Sequence, residues 1–176
     1  MHALTIRRAL PADAGQLAAF AARTFGDTYA AVNTAENIAA HLSAAFSVAR
    51  QRAEIQSPGI ITLLAERDQR LLGYVQMRHG KAPDCVPSAA AIELWRFYVD
   101  RPAIGRGVAS RLMAAACSEA LSASADALWL GVWERNPRAI AFYRKCGFRR
   151  VGKQVFMLGD DAQTDLVMIR PLADVR

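Results

Sequence analysis

Apolar residues in this chain recur with two periods, and each switch between them marks an element boundary. Leu4–Ala9 reads as a first strand, and Pro11-Ala12-Asp13 then brings the proline and acid that suit a helix start. Leu17, Phe20, Ala21 and Thr24 mark one face of that helix. Thr34 caps a second helix carrying Ile38, Leu42 and Phe46, which continues or restarts as far as Gln56 before Ser57-Pro58-Gly59 stops it. From Ile60 the period shortens: Ile60–Glu66 and Leu71–Arg78 flank the polar turn Arg67-Asp68-Gln69-Arg70 and predict a hairpin.

Residues 79–88 hold two prolines and read as a loop. Strict alternation over Ala91–Val99 predicts a strand with Glu93, Trp95, Phe97 and Val99 on one face and Ile92, Leu94, Arg96 and Tyr98 on the other. Gly107–Ser122 carries apolar pairs every fourth residue and reads as a helix, whereas Ala127–Trp133 is apolar throughout, as in a strand buried on both faces. Pro137 suits the first turn of a further helix, with Ala139, Phe142, Tyr143 and Cys146 on one face and Gly147 as its stop. Two last strands, Arg149–Leu158 and Thr164–Leu172, are joined by Gly159-Asp160-Asp161-Ala162. The order β-α-α-β-β-β-α-β-α-β-β indicates one α/β domain over residues 1–176, built around a mixed sheet.

At 176 residues, 53% hydrophobic and 22% charged, the composition is that of an ordinary folded domain and excludes a largely disordered chain. Every apolar run is too short to span a bilayer, and the first residues lack an apolar signal core, so a cytoplasmic, non-membrane protein is expected. Cys85, Cys117 and Cys146 fit neither a disulfide framework nor a metal site, and the last two fall on apolar helical stripes that favour burial. His2, His41 and His79 show no ligand spacing, so no metal is expected. The net charge of +6 raises the question of nucleic acid, but the basic residues come singly or in pairs, and a phosphate-bearing small molecule would use them equally well.

Two segments carry candidate chemistry. Gly105-Arg106-Gly107-Val108-Ala109 lies where a strand gives way to a helix. Free amides and the helix dipole favour an anion there, and Arg106 and Arg111 add charge. The segment resembles the GNAT motif Q/R-x-x-G-x-G/A, with Gly107 and Ala109 in the last two positions and Ile104 standing where the family has Gln or Arg. Further on, Asn136, Ala139, Phe142, Tyr143, Lys145, Gly147 and Phe148 match the GNAT arrangement N-x-x-A-x-x-F-Y-x-K-x-G-F. Trp129–Phe148, Met157–Leu166 and Thr24-Phe25-Gly26-Asp27-Thr28-Tyr29 are similar to the PaiA-type spermidine/spermine acetyltransferases, so the likeness runs over nearly the whole chain.

The resemblance implies a mostly antiparallel sheet splayed at its centre, helices on both faces, and acetyl-CoA lying in the splay. Phe97, Tyr98 and Val99 would pair with the pantetheine arm, while Ile104, Gly105, Arg106, Gly107, Val108 and Ala109 would hold the phosphates. Asn136, Ala139 and Lys145 would complete the cofactor groove. Tyr143 would be the general acid facing the CoA sulfur. Glu93 is a candidate base, with an ion-paired Glu, for instance with Arg96, as the structural alternative and Glu134 as its rival. Phe25, Asp27, Tyr29 and Glu36 would wall an amine acceptor, by charge pairing and cation-π contact.

The expected activity is therefore acetyl transfer from acetyl-CoA to a primary amine, polyamine first. Another small amine, a protein N-terminus, a non-catalytic CoA-binding regulator and a homodimeric assembly stay open.

Overall fold

The computed structural model describes residues 3–172. Seven strands form one open sheet: β1 (Thr5–Arg8), β2 (Ile60–Arg67), β3 (Arg70–Arg78), β4 (Ala91–Val99), β5 (Ala127–Trp133), β6 (Arg149–Leu158) and β7 (Asp161–Pro171), in the spatial order β1-β2-β3-β4-β5-β7-β6. Five helices cover it: α1 (Ala14–Tyr29), α2 (Ala35–Ala45), α3 (Val48–Gln56), α4 (Val108–Ser122) and α5 (Pro137–Lys145). Every strand pair is antiparallel except β4–β5.

The α4 and α5 side of the sheet buries Leu112, Met113, Leu128, Leu130 and Met168. The opposite side packs Leu17, Phe20, Leu64 and Tyr74 under α1, α2 and α3. A third, small cluster of Val86, Trp129, Val167 and Ile169 lies under the loop before β4, so β5 is apolar on both faces, as its sequence predicts. Gly73 lets α4 approach the sheet: a Cβ there would lie 2.9 Å from the Tyr98 carbonyl oxygen and 3.0 Å from Leu112 Cδ1.

Local chemistry decides where elements stop. The second helical stretch breaks at Phe46, because the Ser47 hydroxyl accepts from the Arg50 amide at 3.2 Å and starts α3 afresh. Thr34 caps α2 in the same way, accepting from the Asn37 amide at 3.2 Å. Both hairpin turns are shorter than the four-residue connections read from the sequence. Asp68 (φ 52°) and Gln69 (φ 60°) take left-handed conformations, as does Gly159 (φ 60°), so two residues suffice in each and the strands extend inward.

The alternation along β4 fails at one point, and this corrects the face assignment. Gln76 pairs with Arg96 while its neighbour Met77 pairs with Leu94, so Trp95 is an extra, bulged residue. Past the bulge the parity inverts. Phe97 and Val99 join Ile92 and Leu94 on the α4 side, and Tyr98 turns to the α1 side. Cys117 is buried, but Cys146, expected buried, is only half-covered.

Candidate active site

β4 and β5 pair over three positions only: Ala91 with Ala127, Ile92 with Leu128 and Glu93 with Trp129. Beyond that the two strands have no register with each other, while each remains paired to its outer neighbour, β3 or β7. The sheet therefore opens into a wedge at its centre. On one side of the wedge lies a cleft of about 440 Å³, lined by Phe97, Val99, Gly105, Ala109, Ala139 and Tyr143 among others.

The mouth of this cleft is built from the turn between β4 and α4. Gly105 (φ 79°) and Gly107 (φ 81°) occupy left-handed conformations, and Gly107 caps α4 with no side-chain acceptor. The first intrahelical bond is donated by Arg111 to the Gly107 carbonyl at 3.1 Å. The amides of Val108, Ala109 and Ser110 thus have no acceptor among the described residues. Three free donors at a helix start suit an anion, and Arg138 and Lys145 line the same cleft. Across it, the Asn136 side-chain Oδ1 accepts from the Ala139 amide at 3.1 Å, fixing the start of α5.

Tyr143 lies on the buried face of α5, 9% exposed, with its ring edge-on to Phe97 and Phe148. Burial, reinforced by Tyr29 and Cys146, pushes its phenol well above the ordinary value of 10, so the hydroxyl stays protonated.

A second cleft, of about 510 Å³, opens from the other side of the wedge. Tyr29, Trp95, Tyr98 and Gly131 line both clefts and mark where they meet. The second cleft is walled by rings: Phe25 stacks on His41 at 4.4 Å, and Trp133 lies 5.8 Å from Tyr29. Its arginines are all engaged. Arg78 is ion-paired with Glu93 and lies 4.2 Å over the Trp95 ring, whose other partner is Arg96 at 3.7 Å. Arg96 also donates to Glu54 at 2.6 Å, and Arg50 donates to the same carboxylate at 2.7 Å.

Comparison with known proteins decides what carries this geometry. Residues 23–148 match the acetyltransferase (GNAT) family. This chain belongs to the GNAT family. An uncharacterized N-acetyltransferase of Mycobacterium tuberculosis is 36% identical over 160 residues, covering 91% of this chain and 98% of the relative. One from Lactobacillus delbrueckii subsp. lactis is 31% identical, covering 91% and 92%. Among solved structures, a PaiA N-acetyltransferase of Thermoplasma acidophilum in complex with coenzyme A superposes with a TM-score of 0.79 at 22% identity, covering 96% of this chain and 99% of that one. YncA of Salmonella typhimurium with acetyl-CoA gives 0.68 at 19% identity, covering 99% and 96%. At these identities the structures show the shared GNAT fold.

The GNAT site gathers most, but not all, of the residues singled out in the sequence. Phe97, Tyr98, Val99, Ile104, Gly105 and Gly107 line the first cleft, with Ala109, Asn136, Ala139, Lys145 and Tyr143. Val108 contributes only backbone, because its side chain is in the core. Arg106 does not line the cleft: between two left-handed glycines its side chain turns to the surface near Arg70 and Pro102. In the second cleft are Phe25, Tyr29 and Glu93, the last ion-paired with Arg78 and not with Arg96. Asp27, Glu36 and Glu134 line neither cleft. Asp27 is exposed and 3.6 Å from Arg23, Glu36 is exposed in the first turn of α2, and Glu134 pairs with Lys153 at 3.1 Å.

Sequence reasoning passed over His41, Trp133, Phe156 and Asp165, all of which line the second cleft. His41 had no ligand spacing to draw notice, and Asp165 lay within a strand quoted only for its likeness.

Proposed function

We propose that this chain transfers the acetyl group of acetyl-CoA to a primary amine by direct attack in a ternary complex. The observation that carries this is the junction of two clefts through one gap between β4 and β5, one amide-lined and the other ring-walled. Donor and acceptor can meet there without either leaving its own cleft. Membership of an acetyltransferase family and relatives named as N-acetyltransferases support the reading, as do similar folds described with CoA or acetyl-CoA.

Bound acetyl-CoA supplies the thioester, with an electrophilic carbonyl and a sulfur leaving group. The amides of Val108, Ala109 and Ser110 hold its phosphates, and Arg138 and Lys145 supply charge. The free edge of β4 at Phe97, Tyr98 and Val99 aligns the pantetheine arm. Tyr143 keeps a proton at its hydroxyl for the departing sulfur. Phe25 and Tyr29 wall the acceptor side, where Glu93 is the carboxylate that the sequence offers as base.

A polyamine is the acceptor favoured by the sequence likeness, so spermidine and spermine open the test panel, followed by other primary amines and an N-terminal peptide. Calorimetric titration with acetyl-CoA, then assay of free CoA release, tests the proposal. One-to-one binding with amine-dependent release supports it, and absence of acetyl-CoA binding sinks it.

A further inference from the structure

Charge in the acceptor cleft is distributed in a way that selects among amines. Its ionisable lining groups are Tyr29, His41, Arg50, Arg78, Glu93, Arg96, Tyr98 and Asp165. Arg78 and Glu93 neutralise each other, and Arg50 and Arg96 share the Glu54 carboxylate. Burial and Arg96 push the His41 imidazole towards its neutral form, while burial pushes the Tyr29 and Tyr98 phenols above their ordinary values. Asp165 alone of the charged lining groups has no hydrogen bond or ion pair among the described residues.

Asp165 also stands where the two clefts meet. Gly131 lines both of them, and a Cβ built there would lie 3.1 Å from the Asp165 Oδ2. The same carboxylate is close enough to Tyr29 to raise its pKa. The cleft it lines also presents aromatic surface from Phe25, Tyr29, Trp133 and Phe156.

We infer that Asp165 is the counter-ion and proton acceptor for the incoming ammonium, and that the acceptor is a monoamine with an apolar body, not a polyamine. The inference rests on the acetyltransferase reading of this site. One carboxylate without a direct partner matches one ammonium, whereas the further cations of a polyamine would face Arg50, Arg78 and Arg96 in a ring-walled cleft. Glu93 is already held by Arg78, whereas Asp165 has no such partner among the described residues.

The step balances as follows. The ammonium gives one proton to Asp165, and the freed nitrogen lone pair forms the C–N bond as the C–S bond breaks. The sulfur takes the Tyr143 proton, the nitrogen's second proton restores Tyr143, and the Asp165 proton passes to water. Burial without a compensating cation holds Asp165 up to about 6, which suits a base near neutral pH.

The test compares phenethylamine with spermidine as acceptors for the wild type, Asp165→Asn, Asp165→Glu and Glu93→Gln, with acetyl-CoA binding measured in each. Phenethylamine is expected to exceed spermidine in kcat/KM by about tenfold or more. Asp165→Asn is expected to lower kcat/KM by about 100-fold with acetyl-CoA affinity unchanged, and Asp165→Glu to recover part of it. The wild-type kcat/KM limb near pH 6 disappears in Asp165→Asn. Preference for spermidine, or Asp165→Asn within about threefold of wild type, overturns the inference while leaving the transferase intact. Acetyl-CoA binding with turnover of neither amine also overturns it, and failure to bind acetyl-CoA removes both readings.

Discussion

The Asp165 side chain of β7 lies against Gly131 of β5, diagonal to its register partner Trp133. A Cβ on Gly131 would come within 3.1 Å of Asp165 Oδ2 and 2.5 Å of Gln154 Nε2. Both contacts are the far ends of side chains, so Gly131→Ala is accommodated by pushing them aside, with the fold retained. The displaced carboxylate no longer faces the junction. The expected outcome is a kcat/KM for the amine reduced about tenfold or more, with acetyl-CoA affinity and melting temperature close to wild type, read by steady-state kinetics and calorimetry.

Tyr143→Phe removes one hydroxyl and keeps the ring against Phe97, Phe142 and Phe148. Stability should therefore hold while kcat falls about 100-fold, with little change in acetyl-CoA affinity. Full activity in this variant would exclude Tyr143 as the proton donor.

Asp165 makes stability depend on pH. Its folded-state value is raised from 3.8 to about 6 by desolvation, so between these values the folded state binds more protons than the unfolded one. Stability contributed here is present below about pH 4 and declines as pH rises toward 6. Asp165→Asn should consequently melt higher than wild type at pH 7, and the difference should vanish near pH 4 in thermal scans against pH.

Ile104 stands 40% exposed at the edge of the first cleft, where the family's motif has Gln or Arg. If the phosphates bind there as proposed, a polar side chain at this position would give them one more donor. Ile104→Gln should tighten acetyl-CoA binding by about threefold to tenfold in a calorimetric titration, with no loss of thermal stability.

The Tyr74 hydroxyl is buried with no hydrogen-bond partner among the described residues, while its ring stacks on Tyr98 at 5.8 Å and meets Phe20 edge-on. Tyr74→Phe keeps both ring contacts and removes the stranded polar atom. Urea unfolding should find the variant as stable as wild type or more so, by about 1 kcal/mol.

The sequence disclosed those parts of the architecture whose cause is local. The apolar run of β5, the Thr34 cap, and Pro137 with Gly147 around α5 each act within a few residues of chain, and each was legible. Trp95 was not, because a bulge arises from pairing with Gln76 and Met77 on another strand. The second cleft was harder still. It is assembled from α1, α2, α3 and five strands, so its charges could be counted only once their partners were known. Asp27 and Glu36 carry the right charge for an amine but project from the wrong faces of their helices, while Asp165, far away in the chain, arrives at the junction through β7.

Trp95 also limits how this chain can vary. A side chain in β4 can be exchanged for another and leave its neighbours on their own faces, and losing one residue there would only remove the bulge, but gaining one between Ala91 and Trp95 would swap the two linings from there to Val99. Arg96 and Tyr98 would then face Tyr143, and Phe97 and Val99 would enter the second cleft. Added length, more than altered residue identity, is the change in this strand that descendants of the chain must avoid.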